Sequence, residues 1–189
     1  MSNGRGALVF LGEFLKHPMQ LGSVIPSSGY LKRRIISNAE VARAKVIVEL
    51  GPGNGGTTQS ILAHMQDDAR LLSIELNAGL YELLTELSDP RLVVHNGDAC
   101  EIESILQSYG LAMPDIVISG IPFSCMDRTV GASLIEKIHS ILQPGGRFVA
   151  YQVNPRVSEL NTFFAPEEKT VETEWLNVPP LRVWRWCKS

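Results

Sequence analysis

The sequence is short of long apolar runs, and neither a membrane span nor a secretion signal is expected from it. None of its 189 residues falls in an unbroken apolar run of the length, about 18, that a spanning helix needs. An early apolar stretch, Ala7 to Leu15, is interrupted by Gly12 and Glu13 and has no A-x-A cleavage site, so a signal peptide is not expected. Cysteine is scarce. Cys100, Cys125 and Cys187 are scattered, odd in number and form no C-x-x-C pair. A disulfide framework is therefore not expected; reduced thiols in a cytoplasmic protein are. The four histidines, His17, His64, His95 and His139, show no ligand spacing, so no metal is expected, and no Ser-His-Asp or Cys-His set can be assembled. An excess of positive charge is also missing. Lys and Arg number 17 against 20 Asp and Glu, a net charge of −3, which speaks against a broad nucleic-acid footprint. There is no internal repeat and no low-complexity segment.

What is present fits one globular unit. The hydrophobic fraction is 44% and the charged fraction 20%, ordinary for a chain that builds its own core. Residues 5–17 carry apolar side chains at helical spacing (Ala7, Leu8, Phe10, Leu11, Phe14, Leu15), and Pro18 closes the segment. Residues 19–29 read as a loop and Tyr30 to Ala44 as a second helix. Strands are then expected at 46–50, 70–75, 91–95, 115–119 and 145–153. Helices are expected at 56–66, 77–88, 99–108 and 128–142, with a short one near 156–163. This alternation implies βαβ units and a parallel sheet covered on both faces. Residues 168–177 and 181–187 alternate instead, and Pro179-Pro180 separates them, so they read as an antiparallel hairpin. The expected fold is α/β and Rossmann-like: a seven-stranded, mostly parallel sheet with a C-terminal antiparallel hairpin. Residues 1–44 would form an N-terminal helical extension and 45–189 the main domain.

The most informative stretch is Val46 to Thr57. A buried-strand run feeds into Gly51-Pro52-Gly53-Asn54-Gly55-Gly56, and a helix opens after it. Glycines allow φ > 0 and let a ligand approach the main chain. The loop satisfies G-x-G-x-x-G, a weak pattern alone, but here it lies between a strand and a helix. Glu49 precedes the first glycine by two residues. Its carboxylate would repel a pyrophosphate and suits a cationic amino group. That favours S-adenosylmethionine over a dinucleotide; a purely structural turn is the bland alternative.

Later strand ends supply further candidates. Glu75 closes the second strand, where a carboxylate can accept both hydroxyls of a ribose; it could equally be an acid at a helix start. Asp98 could accept from an adenine amine while Ala99 meets the ring, or it could cap the next helix. Ser119-Gly120-Ile121-Pro122-Phe123 follows the fourth strand and could orient an amine acceptor, with Phe123 as a stacking wall; the alternative is an ordinary turn with a buried Phe. Trp175, Trp184 and Trp186 are read as packing residues. Helix 5–17 covers the core, or its apolar face enters a membrane interface helped by Arg5, Lys16 and Lys32-Arg33-Arg34.

Glu49-Leu-Gly-Pro-Gly-Asn-Gly-Gly resembles motif I of class I methyltransferases, and Glu75, Asp98 and Ser119-Gly-Ile-Pro-Phe fall where their later motifs fall. The whole chain is similar to bacterial phospholipid N-methyltransferases of the short type that resembles rRNA adenine dimethylases. The matching pieces are Phe14-Leu-Lys-His-Pro, Val24-Ile-Pro-Ser-Ser, Ser119-Gly-Ile-Pro-Phe and Asn177-Val-Pro-Pro-Leu-Arg-Val-Trp. The resemblance implies methyl transfer from S-adenosylmethionine, leaving S-adenosylhomocysteine, to the amine of phosphatidylethanolamine or a related aminolipid. It implies a cofactor site of Glu49, Gly51, Pro52, Gly53, Gly55, Glu75, Leu76, Asp98, Ala99 and Ser119. Ser119, Gly120 and Phe123 would present the amine, with Tyr30, Tyr151 or a water as base, and Lys32, Arg33 and Arg156 would meet the lipid phosphate. Residues 5–17 would make peripheral contact with the inner face of a membrane.

Two departures bear on the acceptor. Gly120 stands where rRNA adenine dimethylases carry Asn, which weighs against a nucleic-acid substrate. Ala150-Tyr-Gln-Val replaces a Gln-Phe-Thr-Tyr-like run, so a tyrosine expected near the headgroup shifts to Tyr151. The alternatives are an rRNA adenine N6-methyltransferase-like enzyme, a small-molecule methyltransferase, or a cofactor-binding module without chemistry.

Overall fold

Apolar and β-branched runs bounded by glycine and proline build the sheet. The computed structural model describes residues 27–189. Its strands are β1 (Val46–Leu50), β2 (Arg70–Glu75), β3 (Leu92–Asn96), β4 (Ile116–Ser119), β5 (Arg147–Gln152), β6 (Lys169–Glu174) and β7 (Leu181–Cys187). Its helices are α1 (Gly29–Ala39), α2 (Gly56–His64), α3 (Ala78–Thr85), α4 (Ile102–Ser108), α5 (Arg128–Ile141) and α6 (Arg156–Leu160). The sheet order is β3-β2-β1-β4-β5-β7-β6. β1 to β5 run parallel; β7 pairs antiparallel with β5 and with β6. The expected seven-stranded sheet with its terminal hairpin is therefore present.

Successive strand residues face opposite sides, so a strand covered on both faces must be apolar throughout. Ile47 faces a cluster with Leu31, Ile35, Ile61, Leu71, Ile118 and Val149, under α1 and α2. Val48 and Leu50 face a second cluster with Ile102, Leu134, Phe148, Trp184 and Trp186, under α4 and α5. Trp186 stacks on Phe148 with centroids 5.3 Å apart.

Several element limits differ from expectation, each for a local reason. The helix expected to reach Ala44 ends at Ala39, because Glu40 takes a left-handed conformation and its N–H closes on the carbonyls of Ile36 and Ser37. The helix expected over 77–88 starts one residue later, since the Asn77 side chain caps it by accepting from the Leu80 N–H. The segment 99–108 opens with a 3-10 turn, Ala99–Glu101, because Asp98 caps the Cys100 N–H. Asp115 stays outside β4; its carboxylate accepts the N–H groups of Lys45 and Val46 and ties the amino ends of β1 and β4 together. The strand expected over 168–177 stops at Glu174, and the short helix near 156–163 stops at Leu160. Trp184 and Trp186 are buried as expected, but Trp175 lies beyond the strand end and is 74% exposed, which corrects its reading as a packing residue. The expected helix and membrane contact at residues 5–17 lie outside the described residues.

The sheet order reverses between β1 and β4, and a crevice opens beyond the carboxyl ends of strands at such a point. The loops after β1 and β4 meet there. The Gly120 N–H donates to the Leu50 carbonyl at 2.9 Å, and the Gly51 N–H to the Ile74 carbonyl at 3.0 Å.

Candidate active site

The loop after β1 is built by its glycines. Gly51, Gly53 and Gly55 have φ of 67°, 59° and 79°, a region that side chains other than glycine rarely occupy. Two of them are also crowded. A Cβ on Gly51 would lie 3.0 Å from Ile121, and one on Gly55 3.0 Å from Leu84. A Cβ on Gly53 would meet no atom of the described residues within 4 Å, so its main chain is open to a ligand. Pro52 accepts from the Gly55 N–H through its carbonyl and tightens the turn.

Glu49 lies beneath this loop with no exposed surface. One carboxylate oxygen accepts from Thr58 Oγ1 at 2.7 Å and Ser73 Oγ at 2.9 Å. The other, Oε1, has no partner among the described residues. Burial, with a lesser push from the charge of Glu75, raises this carboxyl to about 7. A buried oxygen without a donor is costly, and such a group asks for a cation.

Glu75 sits beside it, 1% exposed. Its carboxylate accepts from the Gly53 N–H at 3.1 Å and the Asn77 N–H at 2.9 Å. Burial raises its pKa while these N–H groups oppose the rise. The side chain thereby links the glycine loop to the end of β2. Leu76 follows it, and its carbonyl, like that of Glu75, accepts from the Asn96 side chain. Asp98 uses one oxygen on the Cys100 N–H, and Ala99 is buried next to it. The Cys100 thiol is pushed up to about 12 by burial and by Asp98, so it stays protonated at neutral pH.

On the other side of the crevice, Ser119 is fully buried and its hydroxyl accepts from the Ile121 N–H at 3.2 Å. It shapes the turn. Gly120 is the tightest point. A Cβ there would lie 2.5 Å from the Tyr151 hydroxyl and 2.9 Å from the Gly51 carbonyl oxygen. The Tyr151 hydroxyl thus occupies the space that a side chain at position 120 would need. It also lies 3.4 Å from Thr57 Oγ1. Burial and the neighbouring Glu49 raise its pKa, so it stays protonated at neutral pH. Gln152 donates to the Ile121 carbonyl at 3.0 Å, while its own buried carbonyl oxygen has no partner among the described residues.

Other expected residues are placed differently. Phe123 has no exposed surface and packs in the core under α5, so its ring offers no face to an acceptor. Tyr30 is 51% exposed and carries the Arg33 guanidinium over its ring at 4.7 Å. The Lys32 ammonium stands 4.0 Å from the Cβ position of Gly56, at the glycine loop. Arg156 opens α6, whose Val157 and Leu160 pack on the face opposite α1. The three cations expected at one lipid phosphate are thus drawn from elements on two faces of the sheet. Thr58, Ser73 and Gln152 did not emerge from the sequence. Ser73 had a signal: it is the one polar residue inside Leu71-Leu72-Ser73-Ile74, and the register sets it opposite Glu49. Among the described residues no cluster of His, Cys, Asp or Glu could hold a metal.

The chain is similar to several known methyltransferases. The family model "Ribosomal RNA adenine dimethylase" matches residues 18–125. An ornithine lipid N-methyltransferase of Singulisphaera acidiphila is 32% identical over 176 residues, covering 91% of both chains. A ribosomal RNA small subunit methyltransferase A of Phenylobacterium zucineum is 31% identical over 57% of this chain, which spans only 35% of that protein's length. Among solved structures, a 1,6-didemethyltoxoflavin-N1-methyltransferase of Burkholderia thailandensis with bound S-adenosylhomocysteine superposes with a TM-score of 0.71 at 16% identity, covering 100% of this chain and 91% of that one. The N-methyltransferase NodS of Bradyrhizobium japonicum, also holding S-adenosylhomocysteine, gives 0.69 at 13% identity and 96% and 98% coverage. At those identities the structures share the fold alone. Together with the family match, these findings make the chain a member of the ribosomal RNA adenine dimethylase family of class I S-adenosylmethionine-dependent methyltransferases.

Proposed function

We propose that this methyltransferase acts on the amine of an aminolipid, of the ornithine lipid or phosphatidylethanolamine type. The residues around the glycine loop fit the cofactor. Glu49 Oε1 is the observation that carries this: a buried carboxylate oxygen without a donor among the described residues suits the α-ammonium of the methionine part. The open main chain at Gly53, with Gly51, Pro52 and Gly55 shaping the turn, lines that part. Glu75, already fixed by two N–H groups, accepts from the ribose hydroxyls with its remaining lone pairs. Asp98, Ala99 and Leu76 meet the adenine. When bound, the cofactor supplies a methyl group on a sulfonium, which needs only an aligned lone pair to accept it.

The acceptor side aligns that lone pair. Tyr151, held protonated, is suited to orient the amine by hydrogen bonding rather than to abstract its proton. The turn at Ser119 and Gly120 brings the main chain alongside the Tyr151 hydroxyl. An alkylammonium has a pKa of about 10, so it must lose a proton before attack. A desolvated pocket favours the neutral amine, and water can carry the proton away.

The lipid acceptor is supported by similarity to the ornithine lipid enzyme along 91% of both chains. It is also supported by Gly120, where no side-chain amide is available to hold an adenine amine and Tyr151 fills the space. The matches to ribosomal RNA enzymes make RNA the competing acceptor. The test supplies labelled S-adenosylmethionine with vesicles carrying ornithine lipid or phosphatidylethanolamine, and in parallel with ribosomal RNA. Label in the lipid amine is expected. Label in RNA with none in lipid would overturn the reading.

A further inference from the structure

The turn between β6 and β7 exposes more apolar surface than its surroundings explain. Trp175, Leu176 and Val178 are 74%, 61% and 75% exposed. This exposure is not slack in a loose loop. Asn177, between them, is 2% exposed; its Oδ1 accepts from the Ser28 N–H at 3.0 Å and its Nδ2 donates to the Pro179 carbonyl at 2.9 Å. Glu174 accepts from the Leu176 N–H at 2.9 Å. The base of the turn is pinned to the start of α1, and the apolar side chains point away from the protein.

The turn also lies on the edge that bears the site. β7 runs antiparallel to β5 with Gln152 opposite Arg182 and Tyr151 opposite Val183, and Glu174 pairs with Leu181. The residues between Glu174 and Leu181 therefore project past the carboxyl end of β5, the same edge as the loops after β1 and β4. Half-exposed Tyr30 and Val153 share that edge. The cations beside it differ in employment. Arg34 is spent on Glu172 and Glu174. Arg33 lies over the Tyr30 ring instead, and Lys32 stands at the glycine loop.

We propose that Trp175, Leu176 and Val178 form a tip that enters the interface of an anionic bilayer and seats the active-site edge at the headgroups. A tryptophan flanked by aliphatic side chains and cations is the composition an interface favours. Lys32 and Arg33 give charge complementarity to anionic lipids. A protein partner is a poorer occupant, because one turn with three apolar side chains falls well short of the roughly 800 Å² per side that a stable protein interface needs. The proposal rests on the aminolipid reading only for its purpose; the docking itself can be measured without turnover.

The test uses the full chain and phosphatidylcholine vesicles with and without phosphatidylglycerol. The emission difference between wild type and W175F isolates Trp175. It is expected to be solvent-like in buffer and to shift blue with anionic vesicles. The variant W175A/L176S/V178S alters exposed positions only, which an unchanged melting temperature checks. It is expected to lose about tenfold or more in vesicle affinity and to lose transfer to vesicle-borne aminolipid, while keeping transfer to a short-chain aminolipid dispersed as monomers. Vesicle binding equal to wild type would overturn the proposal. So would a Trp175 difference spectrum already apolar in buffer, since another segment or a second copy of the chain would then cover the tip. If no aminolipid is methylated yet vesicle binding still depends on Trp175, the acceptor reading fails and the docking tip stands.

Discussion

The two loops that meet at the sheet's reversal point are held by different means. The loop after β1 is fixed by glycine φ angles and by carboxylates that collect N–H and O–H groups: Glu75 from Gly53 and Asn77, Glu49 from Thr58 and Ser73. The turn after β4 is fixed by shape, by a tyrosine hydroxyl lying where a side chain at Gly120 would go. The first arrangement presents charge to a ligand of constant structure. The second presents a neutral hydroxyl and a cramped backbone. On the proposed reading, the β1 side holds the cofactor and the β4–β5 side faces the amine.

The largest break in that division should come from Gly120, because it touches both halves. In G120A the added Cβ meets the Tyr151 hydroxyl at 2.5 Å and the Gly51 carbonyl at 2.9 Å. The tyrosine can swing away, but the carbonyl belongs to the glycine loop and cannot move without disturbing it. Loss of methyl transfer by about a hundredfold or more is expected, since misplacement of about 1 Å is enough for that. Cofactor affinity measured by calorimetry should fall as well. The double variant G120A/Y151A should not recover, because the Gly51 contact remains. Full recovery would mean that the crowding involves Tyr151 alone and that the halves are independent.

Glu49 sharpens the cofactor side and brings a pH signature. Its carboxyl titrates at about 7 in the folded chain against 4.5 for the ordinary side chain. The folded state therefore holds this proton more tightly than the unfolded state. The stability it lends is full below pH 4.5 and is lost as pH rises through about 7, by at most about 3 kcal/mol. Melting of the ligand-free protein should thus show a downward component between pH 5 and 8 that E49Q lacks. Cofactor binding should run the other way, tightening as Glu49 ionises to meet an ammonium. E49Q should bind more weakly by about tenfold to a hundredfold, the cost of losing a charge-assisted hydrogen bond. Equal affinity and equal pH slopes in the two proteins would remove the ammonium from Glu49.

How much of this could be read in the sequence depends on how far apart in the chain the partners lie. The glycine turn, the strand ends at Glu49 and Glu75 and the cap at Asp98 are legible because each is set by its own neighbourhood in the chain. The sheet was legible for a related reason, since strands buried on both faces must be apolar along their whole length. The contact between the β4 turn and β5 is not local. Gly120 meets Tyr151 only because Ser119 pairs with Ala150 in the β4–β5 register, across 31 residues. Ser73 reaches Glu49 only through the β1–β2 register. Phe123 looked available in sequence, yet helices α5 and α6 close over it. Trp175 looked like one more alternating strand residue, but β6 ends one position before it.

The smallest and most selective effect should come from Y151F, which removes one oxygen and leaves the ring in place. Gly120 keeps its room and Glu49 keeps its bonds to Thr58 and Ser73. Calorimetry should therefore find cofactor affinity within about twofold of wild type, because the hydroxyl's only hydrogen-bond contact on the β1 side among the described residues is a long one, 3.4 Å to Thr57 Oγ1, and losing it disturbs little there. The methyl-transfer rate should fall by about tenfold, the worth of one hydrogen bond that orients a nucleophile. The loss should appear in kcat more than in KM if that bond is strongest in the transition state. The pH profile of kcat should keep its shape, since a tyrosine that stays protonated orients the amine without exchanging its proton. A profile that loses a limb in Y151F would make Tyr151 the base, and a cofactor affinity that falls with the rate would join the two halves into one site.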